Sequence, residues 1–141
     1  MIVYKVVEKK TRNCSNIAMC KQSEVLYFTG YTIRELLSNK KTKEFFPIYK
    51  KGKTIKAVKG SIGIMCFETI EAAKTFKKDA FKFPSAMTII QVEGLGKPRK
   101  RLKIICSCGC NPTHLFDPQK EQLKADPPAG TITFNSVKVL E

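Results

Sequence analysis

The sequence predicts a single α+β domain, with a mixed or mostly antiparallel sheet of about five to seven strands, one main packing helix and one or two short helices. Residues 70–82 repeat apolar side chains at helical spacing, and several short β-branched or aromatic runs are bounded by turn residues. The length of 141 residues suffices for one hydrophobic core but not for two, so one domain is expected to span 1–141.

The N-terminal half carries short strand patterns separated by polar, turn-forming segments. Thr32 and Glu35 have capping-box spacing, which predicts a short helix that ends near Asn39. The lysine-dense stretch 40–59 contains the turn-like KKGK motif, and the strand patterns that follow it predict a hairpin. Strands are expected within 2–7, 25–33, 55–58 and 60–67.

The main helix is expected at about 70–82. Thr69 is its predicted N-cap, Glu71 and Lys78 suit the helix dipole, and Pro84 marks a point by which the helix has ended. The face that packs on the sheet is predicted from residues three, four and seven positions apart: Ile70, Ala73, Phe76, Ala80 and Phe81.

The C-terminal half predicts further strands and a second short helix. Strand patterns cover 87–96, 101–106 and 131–140. Asp117 followed by Pro118 is typical of a helix start, and this helix is expected to end before Asp126.

The six cysteines pose a choice between disulfides, metal ligands and free thiols. The sequence starts with a strand pattern and shows no secretion signal, so a cytoplasmic location and reduced thiols are expected. Cys108, Cys110 and His114 are the candidate metal ligands, but the single-residue spacing in CSCGC differs from the usual zinc-site spacing. The favoured interpretation is metal-free thiols without a cofactor, with Cys66 as a core residue.

Catalytic machinery is not visible in the sequence. His114 is the only histidine, and the chain lacks the glycine-rich phosphate-binding, zinc-protease and nucleophile-elbow motifs. Enzymatic activity is therefore left open but not favoured.

The charge pattern is the strongest functional signal. With 26 Lys+Arg against 12 Asp+Glu, the net charge of +14 attracts polyanions. The lysine stripe of the main helix, Lys74, Lys78 and Lys82, has the spacing of a solvated outer face. The candidate nucleic-acid-binding residues come from two other clusters: Lys50, Lys51, Lys53, Lys56, Lys97, Arg99, Lys100, Arg101 and Lys103.

The order of elements resembles small single-domain proteins of bacteria and their phages. The resemblance rests on the initial YKVV, the segment from Gly63 to Phe67 followed by Thr69, Glu71 and Ala72, and the closing Gly130-Thr131 with VKVL at 137–140. It implies a shared fold but no activity, because these residues are turn glycines and core positions. A more distant likeness to ADP-ribosyltransferase-type folds concerns architecture alone.

These observations favour a basic binding module for a polyanion, with nucleic acid preferred and an acidic protein as the other partner class. The apolar runs are too short for a membrane-spanning helix, so no membrane partner is expected. The alternatives are a small nucleotide-handling or transferase-type enzyme, or a phage-type inhibitor of an acidic or nucleic-acid-binding host protein.

Overall fold

The fold is described from a computed structural model, which describes residues 1–15, 18, 22, 38, 40–100, 104–105, 124–125 and 127–141. The strands are β1 (Ile2–Glu8), β2 (Thr54–Lys56), β3 (Ile64–Phe67), β4 (Met87–Leu95), β5 (Ile104–Ile105), β6 (Lys124–Ala125), β7 (Thr131–Phe134) and β8 (Ser136–Val139). The helices are α1 (Lys40–Lys43) and α2 (Ile70–Ala80), with a 3-10 turn at Pro84–Ala86. No helix among these residues is long and apolar enough to cross a bilayer.

Six strands form one antiparallel sheet in the order β2-β8-β4-β1-β3-β7, and β5 pairs with β6 separately. The central pair is β1 with β4, which runs in register from Ile2 opposite Glu93 to Glu8 opposite Met87. The predicted α+β class is thus confirmed, and every strand pair in the described residues is antiparallel.

Helix α2 forms where its sequence pattern predicts. The Thr69 hydroxyl accepts a hydrogen bond from the Ala72 amide at 3.1 Å, which caps the first turn. The helix ends at Ala80, and Phe81 turns into the core instead of continuing the helix. Its apolar face covers one side of the sheet, where the buried cluster is Val6, Ala18, Phe67, Ala73, Phe81 and Met87.

The opposite side of the sheet, here called the inner face, is packed without α2. Alternation along β1 and β4 sends Val3, Val7, Ile90 and Val92 to this side, because neighbouring side chains on a strand point to opposite faces. The segment at 45–49 closes over them. The rest of this cluster is Cys14, Phe46, Tyr49, Ile55, Ile64, Cys66, Ile132, Phe134, Val137 and Val139.

A single residue, Asn135, separates two strands that lie far apart in the order of the sheet. Phe134 in β7 is paired with Ile64 at one edge, whereas Ser136 in β8 is paired with both Lys56 and Leu95 near the other edge. A one-residue connection reaches both positions only if the sheet curls strongly. The Phe134 ring accordingly lies against the backbone of Gly94 in β4, in the space that a Cβ would occupy.

Two local predictions are wrong. The expected hairpin in the lysine-dense region does not form, since β2 pairs with β8 while β3 pairs with β1 and β7. Both strands instead pair with C-terminal strands, β2 with β8 and β3 with β7, so long-range pairing replaces the expected local pairing. Lys124 and Ala125, expected at the end of the second short helix, instead form β6. The remainder of that helix and the strand and helix expected within 25–39 lie outside the described residues, apart from Ser38.

We expect G94A to lower the free energy of unfolding by about 1 to 3 kcal/mol, because the added methyl displaces the buried ring of Phe134. The control is G96A, which has open space around the added methyl and a φ of +80°, so backbone strain alone costs roughly 1 to 2 kcal/mol. Urea unfolding of both variants tests this. A G94A protein as stable as the native protein would contradict the contact between the Phe134 ring and the Gly94 backbone.

Two buried threonines of β7 give a second, matched prediction. Thr131 donates a hydrogen bond to the Pro128 carbonyl at 2.5 Å, whereas the Thr133 hydroxyl has no partner among the described residues. T131V should therefore lower the free energy of unfolding by about 1 kcal/mol, and T133V should leave it unchanged or raise it slightly. Equal losses measured by urea unfolding would show that the Thr133 hydroxyl is satisfied in the folded protein.

Candidate nucleic-acid interface

Two tight turns flank β2, and each presents lysines to solvent. In the first turn the Lys53 amide donates to the Lys50 carbonyl at 3.1 Å, and in the second the Ser61 amide donates to the Val58 carbonyl at 3.0 Å. Gly52 and Gly60 have φ angles of +80° and +81°, which side-chain-bearing residues adopt only at a cost. The lysines of this segment are all exposed: Lys50, Lys51, Lys53, Lys56 and Lys59.

The sheet extends this cluster to a lysine from the C-terminal strand. Ile55 points to the inner face, so Thr54 and Lys56 point outward. Lys138 in β8 lies directly opposite Thr54 and is also exposed. On its other side Lys138 is paired with Glu93 of β4, which partly offsets its charge.

Arg99 belongs to the second basic cluster of the sequence, at 97–103, and the curled sheet brings it close to the first, at 50–59. Its backbone pairs with Thr133 through two hydrogen bonds of 2.9 and 3.0 Å, which extends the sheet beyond β7. Its Nη2 donates to Oδ1 of Asn135. The Asn135 carbonyl in turn accepts from the Ala57 amide at 2.8 Å, next to Lys56. A continuous set of contacts thus joins Arg99 to the end of β2.

The other predicted residues of the second cluster contribute less to this surface. Lys97 is exposed, but Lys100 forms an ion pair with Glu68 at 2.7 Å, which neutralises much of its charge locally. Both side chains remain substantially solvent-exposed, so this pair adds little to stability. Arg101 and Lys103 lie outside the described residues. We use the term basic surface for Lys50, Lys51, Lys53, Lys56, Lys59, Lys97, Arg99 and Lys138.

Aromatic stacking is not available from the aromatic residues that lie next to these lysines in the sequence. Phe46 is 3 % exposed and Tyr49 is 2 % exposed, and both pack into the inner-face core together with Phe45. The Tyr49 amide also donates to the Arg12 carbonyl at 3.0 Å, which fixes the segment against the end of β1. These rings anchor a loop, and the basic surface is built from flexible charged side chains.

The candidate metal ligands Cys108, Cys110 and His114 lie outside the described residues, as does Cys106. Within the described ranges, no cluster of three or more histidine, cysteine, aspartate or glutamate side chains is placed to hold a metal. Cys66 is a buried core thiol, as its apolar sequence context predicts.

The inner face also holds a buried lysine, Lys5, which local sequence patterns did not predict. Lys5 is 6 % exposed, although its side chain carries a charge. Its Nζ donates to the Met65 carbonyl at 2.8 Å and lies 4.6 Å from the centroid of the Tyr49 ring. A carbonyl oxygen and an aromatic face together offset part of the cost of burying the ammonium. Its position in the sequence could have predicted this burial, because Lys5 lies two residues from Val3 and from Val7 and therefore shares their face of β1.

Burial suppresses the acidity of the groups next to Lys5. It raises the pKa of the Cys66 thiol to about 11, although the nearby Lys5 charge acts in the opposite direction. Burial, reinforced by Cys14 and Cys66, also raises the pKa of Tyr49 well above its ordinary value. Both groups are neutral at pH 7 and are poor nucleophiles in that form. This buried group of residues therefore acts in packing, and the charge available to a partner lies on the basic surface.

No protein-family model, curated protein or solved structure is significantly similar to this chain.

The buried thiol predicts a pH dependence of stability. Between pH 9 and about 11 the unfolded thiol ionises while the folded thiol stays protonated, so the free energy of unfolding falls as the pH rises through this range. The contribution of Cys66 is at most roughly 2 to 3 kcal/mol. Urea unfolding across this range should show a shallower decline for C66A than for the native protein, with Tyr49 responsible for part of the remainder. Identical declines would contradict the raised thiol pKa.

Proposed function

We propose that this protein binds nucleic acid through its phosphate backbone, using the basic surface. The observation that carries the proposal is the segment 50–59, in which every lysine is exposed and no acidic residue occurs. None of these lysines forms an ion pair with a described residue. Free ammonium groups on a fixed strand and its two turns release counterions from a polyanion when they bind it.

The character of the surface supports backbone recognition rather than reading of bases. Lysine is a flexible point charge that suits phosphate oxygens, and phosphate contacts carry no direct sequence information. Because Phe46 and Tyr49 are buried, they do not serve as stacking platforms for unpaired bases. We therefore infer affinity with little sequence preference, for duplex and single-stranded nucleic acid alike.

The main rival is an acidic protein partner, which the same charges would attract. A protein interface usually has an apolar centre with a charged rim, and a lysine-rich strand with its turns lacks such a centre. We accordingly rank binding of nucleic acid above binding of an acidic protein. Inhibition of an acidic host protein is one form of the lower-ranked alternative. The enzyme alternative gains no support from Lys5, Tyr49 and Cys66, since these groups are buried together.

The proposal predicts which lysines set the salt dependence of binding. In K51Q/K53Q/K56Q three exposed charges of the basic surface are removed, and the slope of log K against log salt should fall by about 2 to 3, since each phosphate contact contributes about 0.7 to 0.9. Fluorescence anisotropy with a duplex and with a single strand of mixed sequence, over a range of salt concentrations, measures this slope.

The matched control is K74Q/K78Q/K82Q, which also removes three positive charges. Lys74 and Lys78 are exposed on α2, and Lys82 is exposed just after its end. Its slope should stay within about 0.5 of the native value if binding is localised to the basic surface. Equal losses in both variants would show that net charge alone drives binding. Folded protein that binds neither nucleic acid even at low salt would exclude the proposal and leave the acidic-partner alternative.

A further inference from the structure

Arg99 differs from the five lysines at 50–59 because both its backbone and the end of its side chain are held by hydrogen bonds. Its backbone is fixed by the two hydrogen bonds with Thr133, and its Nη2 is held by the Asn135 side chain. By contrast, no hydrogen bond or ion pair with a described residue holds the side chains of Lys50, Lys51, Lys53, Lys56 or Lys59. Binding therefore has to order the lysine side chains, whereas the Arg99 guanidinium is already oriented.

The structure leaves room for the guanidinium at this place. A Cβ on Gly63 would lie 2.8 Å from Nη2 of Arg99 and 2.8 Å from the Phe134 carbonyl oxygen, so only a residue without a side chain fits beneath it. The guanidinium thus packs against the Gly63 backbone, next to the turn at 58–61 that carries Lys59. Its position is set by the bend at Asn135, where the curled sheet brings β7 close to β2.

The contact with Asn135 leaves the guanidinium able to bind an anion. It occupies one of the five N–H donors of arginine, and the acceptor is a neutral amide oxygen, so the positive charge is not compensated. No carboxylate among the described residues pairs with Arg99. A planar fork of donors matches two oxygens of one phosphate, which a lysine ammonium cannot do.

We propose that Arg99 is the fixed phosphate anchor of the interface, that it grips one phosphodiester of the nucleic-acid backbone through two donors, and that Asn135 is its positioning residue. This inference rests on the proposed function and assigns different roles in it to the lysines and to Arg99. The lysines supply long-range, salt-sensitive attraction. Arg99 supplies a geometrically defined contact that sets where the backbone lies against the end of β2.

The test separates geometry from charge by comparing affinity with salt dependence. R99K keeps the charge but loses the fork, so it should weaken binding about fivefold at moderate salt while the salt slope stays at the native value. K51Q is the reference variant, and it should lower the slope by about 0.7 to 0.9. Both are measured by fluorescence anisotropy on the full chain, with thermal unfolding as the check on folding.

Asn135 is tested by its coupling to Arg99. N135A removes the contact with Nη2 but keeps the backbone bond to Ala57, and we expect about threefold weaker binding with the slope unchanged. In R99K/N135A the loss should be no greater than in R99K alone, because the two changes remove the same contact. N135D keeps the shape of the side chain but pairs a carboxylate with the guanidinium, so it should weaken binding more than N135A does.

Several results would overturn the anchor. Native affinity in R99K, or in N135D, would show that Arg99 is one cation among many, while the proposed function would stand if K51Q still lowered the slope. Additive losses in R99K/N135A would remove Asn135 as the positioning residue. Binding of poly-glutamate with the same sensitivity to R99K, and without any binding of nucleic acid, would overturn the assignment of the anchor to phosphate together with the proposed function.

Discussion

The contact between the Phe134 ring and the Gly94 backbone is the constraint on which the rest of the structure depends. It holds β7 over β4, two strands that the order of the sheet separates by β1 and β3. With Asn135 as the only link between β7 and β8, the sheet has to curl for this contact to form. The curl encloses the inner-face core, which α2 does not cover, because α2 packs on the other side.

The same curl determines which charges become neighbours. Lys56 lies in β2 and Arg99 lies beyond β7, so in a flat sheet they would be separated by the whole width of the six strands. Asn135 brings them together, since its carbonyl binds the end of β2 and its side chain binds Arg99. The shape of the core thus places a guanidinium held by Asn135 close to exposed lysines, the arrangement on which the proposed binding of a polyanion rests.

Lys5 shows that the positive charge of this protein is not all available to partners. Its ammonium is enclosed with Tyr49 and Cys66, and it is stabilised by a main-chain carbonyl and an aromatic ring. The stability of this arrangement depends on its geometry, because loss of either partner would leave the buried ammonium without compensation in a medium of low dielectric constant. It ties β1 to β3 through Met65 and to the 45–49 segment through Tyr49.

Local sequence patterns were enough to predict the α+β class, the helix capped by Thr69 and the concentration of positive charge in 50–59 and 97–103. They also predicted strands at 2–7, 87–96 and 131–140, where the structure has β1, β4 and the pair β7 and β8. These features follow from local periodicity, capping and composition, which act over a few residues. The pairing of β2 with β8, the burial of Lys5 and the contact between Arg99 and Asn135 became visible in the folded chain alone. Each of these depends on contacts between residues distant in the chain, and local sequence patterns do not encode which distant strand a given edge will meet.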